Sequence, residues 1–225
     1  MQVTVCPNCG EENPSKFRLC GYCGASLAAE LPPQELRKVV TILFSDLKGS
    51  TSLGESLDPE AVREVEARYF DAMKAQLLEH GGTLEKYIGD AIMAVFGFPK
   101  VREDDALRAV RAANGMQRAI ATLNVELERE YGVTLANRTG VNTGPVVANA
   151  DPNATQQIVT GDTVNVAARL GSLAGAGELL VSTDAWRASG GDAEVATRTV
   201  DIAGRSQGLE VAAITVRAPA EPASR

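Results

Sequence analysis

The clearest hydrophobic pattern in the chain begins near Lys38. Val39 to Phe44 (VVTILF) is a short, almost wholly apolar run, and such a run bounded by polar residues predicts a buried strand. Asp58-Pro59 is a helix start, a capping carboxylate followed by proline at the first helical position. Val62, Val65, Tyr69, Met73 and Leu77 then recur at helical spacing, and Gly81-Gly82 ends the helix. Thr83 to Tyr87 and Ala91 to Phe96 predict two strands joined by the tight turn Ile88-Gly89-Asp90. Glu103-Asp104-Asp105 opens a second helix with the stripe Leu107, Val110, Met116, Ile120, Leu123 and Leu127, closed by Gly132. A strand over Leu135 to Asn142 follows, then a hairpin over 146–160 with its tip near Asp151-Pro152-Asn153. Asp162 caps a helix to about Leu173, and strands near Leu179 to Ser182, Thr197 to Ile202 and Leu209 to Val216 complete the pattern.

The order β-α-β-β-α-β, followed by a further helix and strands, predicts an α+β fold, a ferredoxin-like sheet with additions. Residues 1–26 are rich in Cys, Gly and Pro and cannot build a core alone. Residues 27–37 read as a linker, because Pro32-Pro33 would break a helix. The main domain is expected over 38–217, and the tail 218–225 (APAEPASR) is expected to be disordered.

Composition narrows the chemistry. The chain has 225 residues and 44% hydrophobic content, with no apolar run near the roughly 20 residues that cross a bilayer. Its start lacks the basic and apolar stretches of a signal peptide, so the expectation is a cytoplasmic protein with no membrane partner. A net charge of −7 argues against nucleic acid as a partner. The sole histidine is His80 and the only cysteines are Cys6, Cys9, Cys20 and Cys23, which disfavours a His triad and excludes a Cys nucleophile in the main domain. Carboxylates, Lys and Arg remain, an inventory suited to metal-assisted phosphoryl chemistry.

Four motifs carry that chemistry. Cys6-x-x-Cys9 and Cys20-x-x-Cys23 form two knuckles able to complete a tetrahedral sulfur site for one structural Zn²⁺ per chain, although the intervening loop is shorter than usual. Disulfides or redox dithiols are the alternatives, and a cytosolic setting disfavours both. In Ser45-Asp46-Leu47-Lys48-Gly49-Ser50-Thr51, an acid at a strand end precedes a small-residue turn. Backbone N–H groups of Lys48, Gly49, Ser50 and Thr51 can cradle phosphates while Asp46 holds a cation, although such an Asp alone is more often a cap. Glu85-Lys86-Tyr87-Ile88-Gly89-Asp90 brings a second acid on a turn between neighbouring strands; alone, Gly89-Asp90 is an ordinary turn. Asn165 and Arg169 stand four apart on one helix face, suited to ribose and phosphate, or simply to solvent.

Taken together, VVTILFSDLKGST, EKYIGDAIMAVFG, RTGVNTGPVV and TGDTVNVAARL resemble the class III adenylyl and guanylyl cyclase family from about Lys38 to Val216, and the Cys segment resembles the zinc ribbon of a bacterial subgroup. The resemblance implies two Mg²⁺ (or Mn²⁺) per active site, held by Asp46, Asp90 and the Leu47 carbonyl. It implies ATP as substrate, with adenine selected by Lys86, ribose oriented by Asn165, transition-state charge met by Arg169, and phosphates contacted by Arg138 and, more weakly matched, Arg205. It also implies a head-to-tail homodimer in which one chain lends the Asp pair and the other lends Lys86, Asn165 and Arg169. One position departs: where the family places Asp or Thr to read the base, this chain has Ile158, which cannot accept a hydrogen bond. The expected function is an adenylyl cyclase making 3′,5′-cyclic AMP and pyrophosphate. The alternative is a weak or inactive cyclase-homology module with a protein partner at the zinc ribbon.

Overall fold

Two units divide the chain, Met1–Gln34 and Glu35–Arg225. The structure is a computed structural model and describes residues 3–27, 35–149, 159–191, 195–202, 204 and 207–215. The expected tail and most of the expected linker lie outside these residues.

In the first unit, β1 (Val3–Val5) pairs antiparallel with β2 (Glu12–Pro14). Two knuckles then repeat one geometry. Gly10 N–H donates to the Cys6 carbonyl and Gly24 N–H to the Cys20 carbonyl, with φ of 76° and 73° at the two glycines. Side-chain-bearing residues rarely adopt that backbone, which explains the C-x-x-C-G spelling of both.

The second unit runs β3 (Glu35–Lys48), α1 (Ser50–Ser56), α2 (Pro59–Glu79), β4 (Thr83–Ile88), β5 (Ala91–Phe96), α3 (Asp105–Tyr131), β6 (Ala136–Asn149), β7 (Val159–Thr160), α4 (Asp162–Leu173), β8 (Glu178–Ser182), α5 (Thr183–Ala188), β9 (Thr197–Val200) and β10 (Leu209–Thr215). The sheet order is β4-β5-β3-β6-β8-β10-β9, with β7 paired to β6. Its first four strands with α2 and α3 are the ferredoxin-like arrangement, and β6 pairs parallel with β8. The Asp58 carboxylate accepts from Ala61 N–H as the expected cap of α2. Arg108 near the start of α3 donates to the carbonyls of His80 and Gly81, satisfying backbone at the end of α2.

Four features differ from the sequence pattern; one is that β6 runs unbroken over Ala136–Asn149, where a strand was expected to end at Asn142 and a hairpin to begin at 146. β3 begins at Glu35, inside the expected linker, because residues 35–38 pair with Asn149 to Val146 of β6. The small-residue stretch after Gly49, expected as a turn, closes into the short helix α1. α5 was not expected; Ser182, read as a strand end, also caps that helix by accepting from Ala185 N–H.

Alternation along the central strands builds two cores. Leu43 and Leu47 face α2 and α3 with Tyr69, Met73, Leu77 and Met116. Val40, Ile42 and Phe44 point the other way, toward Ala167 of α4, with Val146 of β6 in the same layer. That second layer depends on a close approach. A Cβ at Gly140 would collide with the backbone of α4 at Ala167 and Gly171. Gly140→Ala should therefore cost about 2–3 kcal/mol, whereas the same change at Gly54, which has open space around it, stays small. Chemical denaturation of both variants checks this; equal effects would mean α4 does not seat on β6 as described.

Candidate functional site

The site is built outward from the end of β3. Asp46 lies opposite Ala91 of β5 on one side and Arg138 of β6 on the other. The first pairing sets Asp46 beside the β4–β5 turn, whose last residue is Asp90. Burial first, then the negative charges of Asp46 and Asp90, push the Tyr69 phenol above its ordinary value, while a contact with Ser45 lowers it. Pairing between β3 and β5 stops at Asp46, so Leu47 and Lys48 lie beyond the end of that ladder. The Leu47 side chain is buried, and Lys48 is exposed. Gly49 has φ of 82° and caps α1, which places Ser50 and Thr51 in the first turn of that helix.

The second pairing decides where Arg138 goes. Its Nε and Nη2 both donate to Asp46 Oδ2, at 2.8 and 2.5 Å. Its Nη1 donates to the Ser172 carbonyl at 3.0 Å, near the C-terminus of α4. A cation there meets unsatisfied carbonyls as well as a carboxylate. The sequence directed Arg138 toward a phosphate; the structure holds it on Asp46.

Lys86 is partly exposed on β4. The hairpin carrying it is braced from α2, where Phe70 meets Tyr87 edge-on at 5.0 Å between ring centroids. Asn165 and Arg169 are exposed on α4, opposite its buried residues Val166, Ala167 and Leu170. Arg169 reaches Gly204, its Nη1 lying 3.7 Å from where a Cβ would stand on that glycine. Ile158 and Arg205 lie outside the described residues.

In the first unit the four Cys Sγ atoms lie within 4.8 Å of one another. Cys6 to Cys23 and Cys9 to Cys20 are each 3.6 Å, sulfur to sulfur. Asn13, buried, links the two halves: it donates to the Glu11 carbonyl and to Cys20 Sγ and accepts from Gly21 N–H. Burial pushes the Cys20 thiol up, but N–H groups at Cys23 and Tyr22 and the Asn13 amide outweigh it and bring it down to about 6. For Cys9 a backbone hydrogen bond at Glu11 lowers the thiol, yet burial and the other sulfurs push it up to about 12. Four sulfurs this close oppose each other's ionisation. A divalent cation among them would remove that conflict.

Sequence reasoning missed Asn13 and Ser172. An isolated Asn carries no signal, and Ser172 acts through its carbonyl, which any residue possesses.

Residues 33–207 match the family described as the adenylate and guanylate cyclase catalytic domain. The chain belongs to that family. Residues 2–28 match a domain of unknown function (DUF7577). The cyclase domain is 35% identical over 140 residues to an adenylate cyclase of Anabaena cylindrica, covering 60% of this chain and 27% of that protein. The chain therefore spans about a quarter of that relative's length. Among solved structures, the guanylyl cyclase Cya2 superposes with a TM-score of 0.74 at 34% identity, covering 83% of this chain and 97% of that one. The adenylyl cyclase CyaB from P. aeruginosa superposes with a TM-score of 0.72 at 29% identity, covering 82% and 97%. Among the described residues, no helix of the cyclase domain is long and apolar enough to cross a membrane.

Proposed function

We propose that the chain is an adenylyl cyclase, converting ATP to 3′,5′-cyclic AMP and pyrophosphate at sites shared by two copies arranged head to tail. The observation that carries this reading is the register placing Asp46 beside the turn of Asp90 and across from Arg138. Two carboxylates and a backbone carbonyl at Leu47 are an all-oxygen donor set, which suits Mg²⁺ or Mn²⁺. When bound, two such ions supply activation of the ribose 3′-hydroxyl and neutralisation of charge on the α-phosphate.

The remaining roles fall to side chains and backbone of this chain. Arg138, already seated on Asp46, is a cation for the phosphates, joined by Arg205. N–H groups over Lys48 to Thr51 face the same charge at the start of α1. The exposed Asn165 and Arg169 act on the partner copy's substrate, Asn165 orienting ribose and Arg169 meeting negative charge as the α-phosphate is attacked. Lys86 donates to adenine. Ile158 gives the base pocket no side-chain acceptor, which weakens discrimination against GTP. Adenylate cyclase relatives support ATP; the similarity to Cya2, a guanylyl cyclase, shows that the fold itself does not choose the base.

The first unit is proposed to hold one structural Zn²⁺ on Cys6, Cys9, Cys20 and Cys23. Four sulfurs about 2.3 Å from one ion at tetrahedral corners stand about 3.8 Å apart, between the 3.6 Å of two of the pairs and the 4.8 Å within which all four lie. A closed sulfur set leaves no open position for catalysis. A second reading, a protein-docking module of low activity, is favoured by Val5, Leu19 and Tyr22, which stay exposed on this small unit.

Two measurements test these assignments. Metal analysis of the native protein should find one zinc per chain, lost when Cys6 and Cys9 are replaced by Ser; protein isolated under reducing conditions without zinc would remove that assignment. Asp46→Asn and Arg169→Ala chains should each be nearly inactive and should recover activity when mixed, because a heterodimer contains one intact site. Heterodimers that form yet stay inactive would contradict the shared site.

A further inference from the structure

One oxygen of the carboxylate proposed to serve divalent ions is fully engaged by this chain itself. Arg138 Nε and Nη2 both donate to Asp46 Oδ2, at 2.8 and 2.5 Å. A carboxylate oxygen offers about two lone-pair positions, so two N–H donors fill Oδ2. The contact is imposed by the sheet. Asp46 and Arg138 stand directly opposite each other across β3 and β6, so both side chains leave on one face. The last arm of the guanidinium is held too, Nη1 donating to the Ser172 carbonyl at 3.0 Å. Ser172 lies in the last turn of α4, where free carbonyls favour a cation. The pair is shielded but reachable, with side chains 30% and 22% exposed for Arg138 and Asp46.

A guanidinium does not give up its proton in a protein, so the positive charge beside Asp46 persists at any working pH. A divalent ion approaching Asp46 meets that charge and finds Oδ2 already bonded. Two changes relieve the conflict: removal of Arg138, or an anion that draws its donors away. The polyphosphate of a nucleotide is such an anion. The planar fork of an arginine matches phosphate oxygens as well as it matches a carboxylate. The Nη1 bond to Ser172 does not involve Asp46, so it need not break in that exchange.

We infer that Arg138 makes ion binding and nucleotide binding depend on each other: its fork caps Asp46 Oδ2 against divalent ions, and the phosphates of the nucleotide draw the fork off and open that oxygen. The inference deepens the adenylyl cyclase reading and rests on it for the identity of the anion. The bond between Arg138 and Asp46 stands apart from that reading. The coupling is reciprocal, so whatever factor phosphate adds to ion affinity, the ion adds to phosphate affinity. A chain without nucleotide then holds ions weakly at Asp46, and the complete ion site forms only when substrate supplies the negative charge.

The test reads binding rather than turnover, and has two arms. In the first, Mn²⁺ alone is titrated into the full chain and free Mn²⁺ is followed by electron paramagnetic resonance. Arg138→Met, with Arg138→Gln as a second variant should the first fail to fold, should bind Mn²⁺ at least about tenfold more tightly than the parent chain. Asp46→Asn should abolish that gain. Lys48→Met removes an exposed charge two residues from Asp46 and should gain less than about threefold, the scale of a surface charge. Unchanged or weaker binding in a folded Arg138 variant overturns the inference, as does an equal gain in Lys48→Met. In the second arm, inorganic tripolyphosphate is titrated calorimetrically with a chelator present, so no ion takes part. Asp46→Asn should bind it at least about tenfold more tightly when Arg138 is present, and less than about threefold more tightly in the Arg138→Met background. An equal gain in both backgrounds overturns the exchange. Failure of the cyclase reading looks different: no Asp46-dependent Mn²⁺ binding in any chain counts against the ion site, while the second arm still decides whether Asp46 and phosphate compete for Arg138.

Discussion

The pairing of β3 with β6 is the constraint on which the rest of the cyclase domain depends. It runs without a break from Glu35 opposite Asn149 to Lys48 opposite Ala136. Fixed register means fixed faces, since a slip of one residue would send every side chain to the other side of the sheet. Here it sends Leu43 and Leu47 toward α2 and α3, and Phe44 toward α4. The same alternation delivers Asp46 and Arg138 to one face at one end, close enough to bond. Site and core are thus two readings of one ladder. Beneath Asp46 the opposite face is polar too: Asn137 Nδ2 donates to Ser45 Oγ at 2.9 Å, with Thr139 beside them. The strand end that carries the acid is therefore backed by hydrogen bonds, which have more directional preference than aliphatic packing.

The sequence was legible where the physics is local. Asp58-Pro59, the stripe from Val62 to Leu77 and the closing Gly132 stand where the pattern put them, because caps and helical periodicity are written in neighbouring residues. The βαββαβ order followed from the alternation of those elements. What stayed hidden depends on distant partners. Residues 35–38 are strand because β6 is there to pair with them, and nothing in ELRK announces it. α1 contains Gly54 and few good helix formers, so propensity argued against it. In the site, Asp46 and Asp90 could be recognised by type and position. The attachment of Arg138 to Asp46 and Ser172 could not, because it needs the cross-strand register and the end of a helix two elements away.

The two units use different means to the same end. The cyclase domain buries enough aliphatic surface to hold its polar groups in place. Among its described residues the first unit has a core of little more than Cys6, Cys20 and Leu27, which is too small to fold on apolar burial alone. Its order comes from the repeated glycine-closed knuckles and from Asn13 bonding to both, with four sulfurs left converging. The ion proposed for those sulfurs would supply the organisation that a hydrophobic interior does not.

The central claim is that these residues make a nucleotide cyclase that prefers ATP. Product identification tests it most directly: the purified chain is supplied with ATP or GTP in the presence of Mg²⁺ or Mn²⁺, and the products are separated by chromatography. The account predicts 3′,5′-cyclic AMP with equimolar pyrophosphate from ATP, dependent on the divalent ion, and a smaller but measurable yield of cyclic GMP, as the roles proposed for Lys86 and Ile158 require. No cyclic nucleotide from either substrate, in a preparation shown to be dimeric, would contradict it.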